Sequence, residues 1–103
     1  MSTLSTHVLD TAAGTPAAGI AVRLETRGGE LLGEGVTDSD GRVGAIGPER
    51  LDRGAYVLRF DTGLYVQGFY PEVVVVFTVA DPDEHYHVPV LLSPYGYSTY
   101  RGS

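Results

Sequence analysis

The segment EVVVVFTV, residues 72–79, constrains the fold more than any other part of this chain. Read as a strand, its side chains alternate between two faces, and both faces are apolar: Val73, Val75, Phe77 and Val79 on one, Val74 and Val76 on the other. Such a strand wants cover on both sides. No helix of any length can be placed to supply it, because Gly and Pro interrupt the two candidate stretches, LDRGAY and TGLYVQGFYP. A neighbouring copy of the chain is the simplest remaining cover, so the pattern predicts an oligomer.

Seven further strand signals surround this one: Leu4–Asp10, Ile20–Thr26, Leu31–Thr37, the very short Arg42-Val43-Gly44, Ala55–Phe60, His85–Leu92 and Tyr97–Arg101. Turn clusters separate them, among them AAGTPAAG, Arg27-Gly28-Gly29, DSDGR and Ser93-Pro94-Tyr95-Gly96. In DSDGR, Gly41 occupies a place where a positive φ is often required. Short strands at regular spacing predict an all-β, two-sheet, eight-stranded sandwich with little or no helix. At 103 residues the chain fits a single domain, 1–103, around one core.

Composition narrows the class. The net charge of −6 argues against a nucleic-acid or anionic-membrane surface. With no cysteine, disulfides, thiolate metal sites and thiol nucleophiles are excluded, and a reducing compartment is allowed. The opening MSTLSTHVLD has neither a basic residue nor a long apolar run, and no segment approaches a membrane span, so the cytoplasm is the default location.

Alternation then sorts the polar residues. In the seventh strand Tyr86, Val88, Val90 and Leu92 form the core face, while His85, His87, Pro89 and Leu91 form the other. In the first strand Thr6 and Val8 oppose Ser5, His7 and Leu9. His7 and His87 thus lie on faces that mix a histidine with apolar residues. Ser98 and Tyr100 share a face of the last strand, which the SPYG turn folds back beside the seventh, and Arg42 projects from a turn. Two imidazoles, a guanidinium and hydroxyls suit general acid–base chemistry on a small polar heterocycle. Competing readings are weaker. His85 and His87 share a face like a metal clamp, but no further ligands are evident, so no metal is expected and His85 is read as solvent-facing. Asp38-Ser39-Asp40-Gly41 opens like a calcium loop, yet lacks its closing glutamate and reads as a turn. Arg101, near the end of the chain, is by default a solvated residue.

THVLDTAAGTPAAG, DSDGR, FDTG with FYPEV, and HYHVPVLLSPYGYSTYRGS together resemble the transthyretin-related 5-hydroxyisourate hydrolases over essentially the whole chain. The terminal Tyr-Arg-Gly-Ser is the most specific element, because it looks like the tetrapeptide that marks the hydrolases off from transthyretin proper. The resemblance implies a transthyretin-like sandwich assembled as a homotetramer, a dimer of dimers with sites between the dimers. It implies hydrolysis of 5-hydroxyisourate to 2-oxo-4-hydroxy-4-carboxy-5-ureidoimidazoline without cofactor or metal. Its motif residues match His7, Arg42 and His87 as catalytic groups, and Tyr100, Arg101, Gly102 and Ser103 as the tail lining the site, with Ser98 beside them. Which imidazole is the base stays open. Carriers that look similar in fold hold a lysine, a glutamate and a threonine where this chain has His7, Arg42 and His87, so it sides with the enzymes at all three positions. A non-enzymatic binder of small aromatic ligands is the alternative function, which these residues speak against, and an adhesion or regulatory module a third. One departure stands out: only LYVQG, residues 64–68, joins DTG to FYPEV, where relatives carry a longer insert with a short helix.

Overall fold

The computed structural model describes residues 4–103. Met1–Thr3, the start of the segment read above for a secretory signal, lie outside the described residues. The strands are β1 (Leu4–Asp10), β2 (Thr15–Pro16), β3 (Ala21–Thr26), β4 (Leu31–Val36), β5 (Arg42–Val43), β6 (Gly54–Phe60), β7 (Val73–Val79), β8 (Tyr86–Ser93) and β9 (Gly96–Thr99). They form two sheets, one ordered β2-β1-β8-β9 with β5 paired to β1, the other β4-β3-β6-β7. Eight strands correspond to the eight segments read from the sequence. The addition is β2, which arises inside the AAGTPAAG turn: the Asp10 carbonyl accepts from Gly14 N at 2.8 Å, folding Thr15 and Pro16 back against Asp10 and Leu9.

Alternation decides what is buried. Leu4, Thr6 and Val8 of β1 and Tyr86, Val88, Val90 and Leu92 of β8 point inward, against Leu24, Leu58, Phe60, Val73, Val75 and Val79 of the other sheet. Each fully buried aliphatic or Phe side chain in this layer contributes roughly 1.5–3 kcal/mol. The polar members of the core are satisfied. Thr6 Oγ1 donates to the Val88 carbonyl at 2.6 Å, while Thr37 Oγ1 accepts from Ile20 N and donates to the Ala17 carbonyl. No buried side-chain nitrogen or oxygen among the described residues lacks a partner. The double apolar character of β7 has the consequence foreseen: Val73, Val75 and Val79 are buried, whereas Val74 and Val76 are 39% and 50% exposed on an edge strand. Phe77, on the same face as Val73, Val75 and Val79, is half-buried and stacks at a tilt with Tyr56.

Helix is confined to a single 3-10 turn, Thr62–Leu64. The short 64–68 connection closes by direct backbone bonds instead: Gly63 N donates to the Pro71 carbonyl and Phe69 N to the Pro94 carbonyl. That connection leans on the β8–β9 turn, away from the histidines. No helix among the described residues is long and apolar enough to cross a membrane.

Two pairings matter for function. β1 and β8 run parallel with Ser5 beside His87 and His7 beside Pro89, and β5 lies antiparallel on the other side of β1 with Arg42 opposite His7. The outer face of this sheet therefore gathers residues from the beginning, middle and end of the chain.

Candidate active site

The turn that delivers Arg42 is built by its own residues. Asp38 Oδ1 accepts from the backbone N–H groups of Asp40 at 2.9 Å and Arg42 at 3.0 Å, which holds the Asp38 carboxyl below its ordinary pKa. Gly41 takes φ +74°, and a side chain there would meet the Val8 carbonyl oxygen at 2.3 Å; only glycine lets the turn press onto β1. The pressed turn also fixes the His7 ring. His7 Nε2 lies 2.8 Å from the Asp40 carbonyl, and since a carbonyl only accepts, Nε2 carries the hydrogen and a neutral His7 keeps its lone pair on Nδ1. Arg42 forms no ion pair among the described residues, unlike Arg23, Arg50, Arg59 and Arg101.

Beside Arg42 lies an open cleft of about 320 Å³, lined by Ser5, Thr6, Arg42, Gly44, His85, His87 and Ser103. That size falls at the small end of ligand sites, which run from about 300 to 1,000 Å³. His7 flanks it on β1. His87 is half-buried, and its pKa is lowered by loss of hydration first, then by the positive charges of Arg42, His7 and His85. The ring is therefore neutral at neutral pH, the state a base requires. Its Nδ1 lies 2.8 Å from Ser5 Oγ, which is also 2.8 Å from His85 Nε2.

The C-terminal tail completes the wall. Gly102 N donates to the His87 carbonyl at 2.8 Å, bridging the tail to β8 and carrying Ser103 into the cleft. The structure thus brings His7, Arg42, His87, Gly102 and Ser103 together. The other tail residues run along a neighbouring groove that His87 also borders. The Arg101 guanidinium sits 4.7 Å over the Tyr86 ring and pairs with Glu84 at 3.2 Å, while its side chain stays largely exposed to solvent, as read from the sequence. Tyr100 and Arg101 line an adjoining apolar groove with Val75, Phe77, Thr78 and His87, between the edges of the two sheets, so that His87 borders both the cleft and this groove. Ser98 pairs with Leu91, further along the same outer face. Ser5 was not proposed for the site from the sequence, and His85 was read there as solvent-facing rather than as part of it. Ser5 shares a face with His7, and His85 shares one with His87, so spacing carried a signal; His85 is exposed as expected, yet its ring is hydrogen-bonded into the cluster. No group of three or more His, Cys, Asp or Glu gathers at metal-binding distances among the described residues.

A transthyretin-type β-sandwich with an imidazole–guanidinium cleft on the outer face of one sheet defines a class of small hydrolytic or ligand-binding proteins. Comparison with known proteins places the chain within it. The profile described as the HIUase/Transthyretin family matches residues 4–102, and the chain belongs to that family. It is 47% identical to a 5-hydroxyisourate hydrolase of Caulobacter vibrioides, with all of both chains covered. The structure of Klebsiella pneumoniae 5-hydroxyisourate hydrolase superposes with a TM-score of 0.91 at 39% identity, covering all of both chains. Transthyretin from Sparus aurata superposes with a TM-score of 0.87 at 30% identity, covering 99% of this chain and 97% of that one. Fold alone does not separate the enzyme from the carrier.

Proposed function

We infer that this chain hydrolyses 5-hydroxyisourate to 2-oxo-4-hydroxy-4-carboxy-5-ureidoimidazoline, opening the six-membered lactam ring in urate catabolism. The observation that carries the reading is the convergence of His7, Arg42, His87 and Ser103 on one sheet face, at positions where a hormone carrier is expected to differ. In the reaction, a water beside His87 loses its proton to that neutral ring and attacks the lactam carbonyl. Arg42 grips the planar polar edge of the substrate and offsets the negative charge that develops on the carbonyl oxygen. His7, held by the Asp40 carbonyl, orients the water through Nδ1. The proton then passes from His87 to the departing ring nitrogen, and the C–N bond breaks. Ser103 donates a hydrogen bond to substrate or water.

The working particle in this reading is a homotetramer, a dimer of dimers. Support comes from the edge strands β7 and β9, from Val74 and Val76 exposed on the outer face, and from a cleft that is open to solvent in one chain and would be sheltered by a second. A cysteine-free chain suits a reducing cytoplasm.

The direct test follows the ultraviolet decay of freshly generated 5-hydroxyisourate with and without the protein, alongside sedimentation to give the assembly state. Faster decay is expected, lowered by roughly 10²–10⁴-fold in His87→Ala. Decay no faster than the spontaneous rate, together with affinity for iodinated phenols, would favour the carrier reading instead.

A further inference from the structure

The reaction above leaves two members of the cleft without work: Ser5, nearly buried on β1, and His85, at the solvent edge just before β8. They are joined to His87 in a row. Ser5 Oγ lies 2.8 Å from both His85 Nε2 and His87 Nδ1, and a hydroxyl has one hydrogen to give, so it donates to one ring and accepts from the other. Two arrangements satisfy both contacts with neutral rings. If the bonds run from His85 to Ser5 to His87, the His87 hydrogen sits on Nε2 and the ring offers no lone pair to a water. If they run from His87 Nδ1–H to Ser5 to His85 Nε2, then His87 Nε2 is bare. Only the second makes His87 a base.

We propose that Ser5 and His85 are positioning residues that hold His87 in its Nδ1–H tautomer and relay positive charge from it to the solvent edge. This rests on the hydrolase reading. The ring cannot escape the arrangement by turning over. Its Nδ1 side is fixed by Ser5 through the β1–β8 register, and its Cδ2 side is crowded by Gly102, whose added Cβ would lie at 2.5 Å. Turning the ring by half a rotation would replace Nδ1 with Cδ2 and lose the bond to Ser5.

The proton movements balance. As water attacks, its hydrogen goes to His87 Nε2 and an imidazolium forms. The Nδ1 hydrogen then passes to Ser5 Oγ while the Ser5 hydrogen passes to His85 Nε2, leaving His87 neutral with a hydrogen on Nε2 and His85 charged. When that Nε2 hydrogen goes to the departing ring nitrogen, the reverse transfer from His85 through Ser5 restores the starting state. Electrostatics favour the outward shift: a cation at His87 faces the Arg42 guanidinium in a half-buried place, whereas His85 is exposed to water.

The test is long-range ¹H–¹⁵N NMR on the whole, ligand-free protein, which distinguishes the two nitrogens of His87, combined with turnover. The wild type is expected to show Nδ1–H with Nε2 bare. Ser5→Ala is expected to shift the ring toward Nε2–H and to lower kcat by at least about 10-fold with KM little changed, because the tautomer rather than substrate contact is lost. Ser5→Thr, which keeps the hydroxyl, is expected to restore the wild-type tautomer and most of the lost turnover. An Nε2–H ring in an active wild type would overturn the proposal, as would a Ser5→Ala protein with unchanged tautomer and kcat. Absence of hydrolysis by the wild type would instead overturn the functional reading, and the base role with it, whatever the tautomer.

Discussion

Replacing Gly102 with alanine puts the least possible bulk at the most crowded point of the site. The Gly102 N–H is bonded to the His87 carbonyl, so the Cα cannot drift while the bridge holds. An added Cβ would stand 2.5 Å from His87 Cδ2, 3.2 Å from its Cγ, and 3.2 Å from Cγ of Pro89. Carbon pairs are at ease at about 3.5–4.0 Å, so tail and ring must part by about 1 Å. If the ring yields, its bond to Ser5 is stretched; if the tail yields, the bridge opens and Ser103 leaves the cleft. Either displacement of about 1 Å is expected to cost on the order of 10²-fold in kcat/KM, about 2.7 kcal/mol of transition-state stabilisation. The backbone at Gly102 is not in the left-handed region, so alanine itself is not strained there. Tail residues at the surface contribute little to folding, and the unfolding free energy from urea titration is expected to change by no more than about 0.5 kcal/mol. The assay pairs initial rates above the spontaneous control with urea unfolding. Wild-type turnover in a normally assembled Gly102→Ala protein would refute the idea that the tail sets the imidazole.

Arg42→Lys keeps the charge but not the planar fork, and a severe loss of kcat/KM is expected; unchanged kinetics would show that bidentate geometry is unimportant. Because the His87 pKa is lowered, the base form persists below pH 6.5, and the acid limb of kcat/KM against pH should have its midpoint below that value. The same shift makes the unfolded chain bind more protons than the folded one as pH falls below 6.5, so urea stability should decline with acidification from there, with a decline beginning only at the carboxylate range counting against it. Phe60 is fully buried between the sheets, so Phe60→Ala should cost about 3–5 kcal/mol in urea unfolding, and a cost under about 1 kcal/mol would mean the core collapses around the gap.

Much of the sandwich was legible because its signals are local. A strand presents alternate residues to opposite faces, so Tyr86, Val88, Val90 and Leu92 announce their burial without knowledge of any partner strand. The SPYG turn likewise dictates the β8–β9 hairpin within a dozen residues. For β7, apolar on both faces, the pattern gave the two faces, and the structure decided that Val73, Val75 and Val79 are the buried one. The tail was less legible: Arg101 stacks on Tyr86 because the bridge at Gly102 turns it toward that ring, a contact invisible to spacing.

The sequence by itself determined which faces are apolar, which residues have the chemistry of a base or an anion clamp, and which family the motifs resemble. Only the tertiary structure decided that Ser5 stands beside His87, that Arg42 stands opposite His7, and that His85 closes a hydrogen-bonded row. The reason is physical. Periodicity is set by each strand's own backbone, but the parallel register that pairs Ser5 with His87, 82 residues apart, is set by the fit of the whole core, and a slip of one residue would turn every one of these side chains to the opposite face.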